Sequence, residues 1–156
     1  MVGNFGEDWG QLFLGRESNR MDAKGRLAIP AKFREVVGQG ARLVVTRKVL
    51  DPCLEVYSEE RWKAFMDQLQ ALSQVKPEAR QYRRLIYSGA EVCSLDRQGR
   101  ILIPAHLRDY AALGREAVLV GNGDTFEIWD ESRWQEEMAR VTDPTGLADA
   151  LADLGL

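Results

Sequence analysis

The chain has 156 residues, with 21 Lys and Arg against 24 Asp and Glu, one histidine and two cysteines. That length can bury a core without metals or disulfide staples. No apolar run approaches the ~20 residues of a membrane helix, and the opening MVGNFGEDWGQLFLG lacks the basic start and apolar stretch of a secretory signal. A soluble, cytoplasmic chain without a membrane partner is therefore expected. Cys53 and Cys93 lack CxxC spacing and His106 stands alone. This argues against a disulfide framework, a histidine zinc site or a serine triad, and leaves buried free thiols and no metal or cofactor as the expectation.

Residues 1–11 carry no motif and are read as an N-terminal extension without an assigned role. In MDAKGRLAIPAKFR (21–34), Asp22 and Gly25 are turn residues. The carboxylate can accept from backbone N–H groups two or three residues on, and glycine tolerates positive φ. RLAI then reads as a short strand, and Pro30 ends it because proline donates no ladder hydrogen bond yet suits the first turn of a helix over Ala31–Val37. RLVVT (42–46) and LEVY (54–57) read as strands. A helix starting near Ser58 or Glu59 carries Trp62, Phe65, Met66, Leu69 and Leu72 along one side. Pro77 and Glu78 open another, with Tyr82, Leu85 and Ile86 expected inward and Arg80, Arg83 and Arg84 near one another. LDRQGRILIPAHLR (95–108) then restates the first turn, strand, proline and helix, the helix running to Ala112. AVLVG and FEIW are strands, a helix spans about Glu131 to Val141, TDPTG breaks it, and LADALADLGL is a short acidic amphipathic tail.

The restatement is a repeat. At an offset of 74, Asp22, Gly25, Arg26, Ile29, Pro30, Ala31 and Arg34 match Asp96, Gly99, Arg100, Ile103, Pro104, Ala105 and Arg108. At an offset of 72, LEVYSEERW matches FEIWDESRW, pairing Glu55 with Glu127, Arg61 with Arg133 and Trp62 with Trp134. The two lost residues fall where KVLDPC becomes GNGDT, between strands, where length changes are tolerated. The chain is thus a tandem duplication, divided as 12–75 and 76–156. A unit of ~60 residues with open strand edges is marginal alone. Two such units are satisfied by an α+β fold in which their hairpins swap into one pseudo-twofold β-barrel flanked by helices. That symmetry would bring Arg26 and Arg100 to flank a common surface.

Charge follows the same division. Residues 15–48 hold nine basic and three acidic side chains, 76–108 seven and three, and 109–156 three and eleven. A positive face can thus coexist with an acidic total and steer a polyanion, although scattered surface charge would give similar counts. Asp22 and Asp96 read as structural turn residues; a catalytic acid pair is not supported, because each lies among basic residues and no second polar cluster accompanies them. Arg26 and Arg100 have two readings: an ion pair with their own aspartate, or a guanidinium that grips phosphate oxygens or guanine O6 and N7. Arg20, Lys24, Arg34, Arg97 and Arg108 lie close in sequence and favour the second.

The two DxxxR motifs, LFLGRE near the start, LEVYSEERW and FEIWDESRW together resemble the MraZ family of bacterial transcriptional regulators over about residues 12–154. The resemblance implies an AbrB-like swapped-hairpin barrel, a ring-shaped homo-oligomer at the nucleoid, and no small-molecule substrate. It also implies binding of double-stranded DNA at short direct repeats in the protein's own promoter, and so regulation of the cell-division and cell-wall gene cluster. Arg26 and Arg100 would contact DNA, with Asp22 and Asp96 as partners. The competing expectations are an oligomeric scaffold whose basic face meets an acidic protein, and, less supported, an antitoxin-like DNA-binding module.

Overall fold

Short branched runs punctuated by glycine and proline produce eight strands among the described residues, which are 12–141 and 144–156 of a computed structural model. The first unit contributes β1 (Arg16–Arg20), β2 (Arg26–Ala28), α1 (Ala31–Val37), β3 (Arg42–Lys48), β4 (Cys53–Ser58) and α2 (Glu59–Ala71). After α3 (Pro77–Gly89) the second unit follows with β5 (Glu91–Ser94), β6 (Arg100–Leu102), α4 (Ala105–Tyr110), β7 (Glu116–Gly121), β8 (Phe126–Asp130) and α5 (Glu131–Val141). The chain closes with α6 (Pro144–Asp153). The extension 1–11 and part of the TDPTG break lie outside the described residues.

The pairing is α+β and swapped. One antiparallel sheet runs β1-β7-β8-β4-β3-β5, and a two-stranded ribbon pairs β2 with β6. Each unit's first strand therefore adds to the other unit's third strand, and β4 joins β8 at the centre. Leu27 pairs with Ile101, its own repeat equivalent, and Glu55 pairs with its equivalent Glu127. The pseudo-twofold axis passes through both pairs. The ribbon is lengthened symmetrically by Ile29 N donating to Gly99 O and Ile103 N donating to Gly25 O, both at 2.9 Å.

Leu27, Ile29, Ile101 and Ile103 are buried and pack onto Leu43, Val45, Leu119 and Ile128 of the sheet. Each such side chain stabilises the join by about 1.5–3 kcal/mol. Phe13, Phe33 and Phe126 fill the same core, with ring centroids 4.8–5.4 Å apart. On the other sheet face, Tyr57 stacks on Phe65 of α2 and Ile86 of α3 is buried, while Trp129 meets Trp134 of α5. Ser58 caps α2 by accepting from Arg61 N at 3.2 Å. Both cysteines are free and buried, and burial pushes the thiols up, Cys93 to about 11.

One expectation needs correction. Leu85 was placed inward with Ile86, yet it is exposed because α3 turns only Ile86 and Gly89 fully toward the sheet. Arg80, Arg83 and Arg84 do lie together, lining one groove, and Arg83 Nη1 donates to Leu72 O and Ser73 O, closing the end of α2.

Candidate nucleic-acid interface

The ribbon begins at two equivalent turns. In the first, Asp22 Oδ1 accepts from Lys24 N at 3.0 Å and Arg26 N at 2.9 Å, and Gly25 closes the turn at φ +92°. In the second, Asp96 Oδ1 accepts from Gln98 N at 2.8 Å and Arg100 N at 2.9 Å, with Gly99 at φ +75°. Each aspartate then binds its own arginine, Arg26 Nε to Asp22 Oδ2 at 2.6 Å and Arg100 Nε to Asp96 Oδ2 at 2.9 Å. The backbone N–H of Arg26, aided by its guanidinium, holds Asp22 at about 2, and the N–H of Arg100 likewise lowers Asp96. Both carboxylates are therefore charged at neutral pH, and each fixes an arginine.

The ion pair with its own aspartate thus forms in both copies, but it occupies only one edge of each guanidinium. No hydrogen bond among the described residues uses the Nη atoms of Arg26 or Arg100. Leu27 and Ile101 face the core, so the alternation of the strands puts Arg26 and Arg100 on the outer face of the ribbon. The two arginines are adjacent there: Arg100 Nη1 lies 3.9 Å from Asp22 Oδ2, the oxygen that Arg26 Nε also binds. The side chain of Arg26 is 38% exposed and that of Arg100 27%.

The other cations divide. Arg34 reaches across the axis to lie against Gly99, and Arg108 lies against Gly25, so each α-helix braces the opposite unit's turn. Arg34 and Arg97 line a groove of about 660 Å³ beside Asp96, whereas the equivalent groove at Arg108 and Asp22 is about 310 Å³. The Nε of Arg108 is buried without a hydrogen-bond partner among the described residues. Lys24 and Arg97 are exposed at the turn tips. Arg20 is exposed at the end of β1 and forms an ion pair with Glu116 at 3.0 Å. Among the described residues no three His, Cys, Asp or Glu side chains are grouped to hold a metal, and no helix is long and apolar enough to cross a membrane.

A family model described as "MraZ protein, putative antitoxin-like" matches residues 12–85 and again 86–148. The chain belongs to the MraZ family. Among curated MraZ relatives, the Transcriptional regulator MraZ of Desulfitobacterium hafniense (strain Y51) is 44% identical over 146 residues, 93% of this chain and 100% of that one. Proteins of the same name from Carboxydothermus hydrogenoformans, 46% identical over 123 residues, and Lactiplantibacillus plantarum, 43% identical over 143, cover 79% and 91% of this chain and 84% and 99% of their own.

In this MraZ family member the second place where the axis emerges is also charged, and sequence reasoning overlooked it. Glu55 and Glu127 face each other across β4 and β8, and Lys48 Nζ bridges them, bonded to Glu127 and 3.9 Å from Glu55. Thr125 and Tyr57 donate to Glu55 at 2.8 and 2.9 Å, and Trp129 Nε1 donates to Glu127 at 2.9 Å. The signal was present: a glutamate at the same place in both repeats must meet its copy wherever equivalent strands pair. This cluster lies on the sheet face away from the ribbon, so it belongs to the join between the units and not to the arginine surface.

Proposed function

We propose that the protein is a transcriptional regulator that binds double-stranded DNA through Arg26 and Arg100. Asp22 and Asp96 hold the two arginines, while Lys24, Arg97, Arg34 and Arg108 add positive charge at the turns. The reading rests on one observation: each guanidinium is steered by Nε to its own aspartate and makes no hydrogen bond through its Nη atoms, on a common outer face. The Nη edge matches two phosphate oxygens, or guanine O6 and N7 in the major groove. The name shared by the relatives supports the same role. One ribbon supplies few contacts, so single-copy affinity is weak and falls steeply with salt. A ring of copies makes each further contact intramolecular and raises affinity by ~10²–10⁴. Short direct repeats near ~10 bp apart in the protein's own promoter would present successive sites on one DNA face. The regulated genes are then those of the cell-division and cell-wall cluster, and the protein works in the cytoplasm at the nucleoid.

The test is fluorescence anisotropy on DNA upstream of the protein's gene, across a salt series. Wild type should bind with a steep salt slope. Arg26→Ala with Arg100→Ala should abolish binding while mass and thermal midpoint persist. If that variant binds as wild type does, the role assigned to the motif fails. If wild type binds no DNA at low salt, the basic face serves an acidic protein partner instead.

A further inference from the structure

The outer face of the ribbon carries, besides its arginines, one large apolar side chain. Along β2 and β6 the residues alternate, with Leu27, Ile101 and Ile103 buried beneath and Arg26, Ala28, Arg100 and Leu102 above. Leu102 is 56% exposed although both of its chain neighbours are in the core. A lone exposed leucine is ordinary on a protein surface. This one stands on the same three-residue strand as Arg100.

Its partner across the ribbon is Arg26. The backbone bonds from Ile103 N to Gly25 O and from Ile29 N to Gly99 O, both at 2.9 Å, fall on either side of the central pair Leu27 and Ile101. Arg26 and Leu102 therefore face each other between bonded pairs, where antiparallel side chains come closest, with Cβ atoms ~4.5–5.5 Å apart. The repeat places Ala28 at the same point beside Arg100. The pseudo-twofold that makes the two arginines equivalent is thus broken on the face they share. One guanidinium is flanked by an isobutyl group and the other by a single methyl.

Double-stranded DNA offers such a group a specific target. The major groove admits a two-stranded ribbon, and the apolar group that stands out along its base edges is the C5-methyl of thymine. Stacked base pairs repeat every ~3.4 Å. A side chain ~5 Å from an arginine that grips guanine O6 and N7 therefore stands over the adjoining pair. We propose that Leu102 is a specificity-determining residue that covers the 5-methyl of a thymine next to the base held by Arg26, while Ala28 leaves the corresponding place beside Arg100 unread. The inference rests on the DNA-binding reading above. It adds that the ribbon distinguishes its two ends, so that a site without internal symmetry is bound in one orientation.

The test is fluorescence anisotropy of the full chain on the DNA upstream of its gene, synthesised either with thymine or with uracil at every thymine position, an exchange that removes only the methyl groups. Wild type should bind the thymine DNA about fourfold more tightly for each ribbon engaged, the gain from burying one methyl-sized group. Leu102→Ala should bind the thymine DNA weaker by the same factor and hold the two DNAs alike. Its salt slope should match wild type because no charge is lost, and its thermal midpoint should match because the side chain is largely in solvent. Leu102→Met keeps an apolar group of similar volume and should keep the preference for thymine. The inference is overturned if wild type binds both DNAs equally or if Leu102→Ala retains the wild-type ratio. Loss of the same factor on both DNAs would also overturn it, marking Leu102 as a wedge between base steps or a brace of the ribbon. Equal binding of the two DNAs leaves the Arg26 and Arg100 reading standing, whereas a wild type that binds neither at low salt sinks both, so the two failures are distinct.

Discussion

Replacing Gly25 by alanine should weaken the fold more than its conformation alone explains. Gly25 and Gly38 share φ +92°, but a Cβ on Gly38 would meet nothing within 4 Å, whereas one on Gly25 would lie 2.9 Å from Ile103 O and 2.8 Å from Arg108 Nη1. Gly38→Ala, at ψ 156°, therefore measures the cost of a positive-φ backbone, about 1–2 kcal/mol. Gly25→Ala adds a clash with a backbone carbonyl. That carbonyl cannot retreat freely, because Ile103 N donates to Gly25 O at 2.9 Å. Loss of that bond adds about 1 kcal/mol, for a total of about 2–3 kcal/mol. At roughly 2–4 °C per kcal/mol for a domain of this size, the Gly25 variant should melt about 5–10 °C below wild type and some 2–4 °C below the Gly38 variant. Gly99→Ala, at φ +75°, meets only the movable end of Arg34 and should cost less than Gly25→Ala. Thermal melts followed by circular dichroism at one fixed protein concentration would measure all three, since assembly makes midpoints concentration dependent. Equal midpoints for the Gly25 and Gly38 variants would refute the steric argument.

Lys48→Met leaves Glu55 and Glu127 facing each other. Breaking a buried pair costs about 3–5 kcal/mol, reduced to about 2–3 here by the partial exposure of Lys48, and Glu127→Gln in the same chain should recover most of it in urea titrations. Asp22 titrates near 2 in the folded chain against an ordinary 3.8, so its contribution to stability is present above the ordinary value and is lost as pH falls toward 2. A carboxyl NMR midpoint near 4, or an acid limb unchanged by Asp22→Asn, would contradict this. Ser58→Ala removes the α2 cap and should cost about 1 kcal/mol. If Arg26 and Arg100 each neutralise one phosphate, single alanine variants should lower the slope of log affinity against log salt by ~0.9 apiece.

The elements most legible in the sequence are those whose signal is local. The Asp-x-x-Gly turns, the strands ended by Pro30 and Pro104, and the helices Ala31–Val37 and Glu131–Val141 follow from residue chemistry within one turn or one pleat. The duplication then fixed the swap, because equivalent strands can satisfy equivalent edges. β1 and β5 went unread for the opposite reason. RESNR has no alternating apolar face, since β1 is an exposed edge, and EVCS is a four-residue edge strand whose one buried side chain is Cys93. Leu85 was misplaced because helical spacing fits either side of a helix that a single buried turn anchors. For the arginines, proximity in sequence suggested a shared surface. It could not show that Arg34 and Arg108 cross to the opposite turns, or that Arg20 is held by Glu116, since those partners are brought near only by the swap.

Val120 is synthesised 104 residues after Arg16, with which it pairs across β1 and β7. At ~5–20 residues per second on the ribosome, the first strand waits roughly 5–20 s for its neighbour. For most of that interval Leu27 and Ile29 have no Ile101 or Ile103 to cover them. The nascent first half is thus a period of vulnerability to chaperone capture or mispairing with another nascent chain, and the sheet completes only once β7 and β8 have been made.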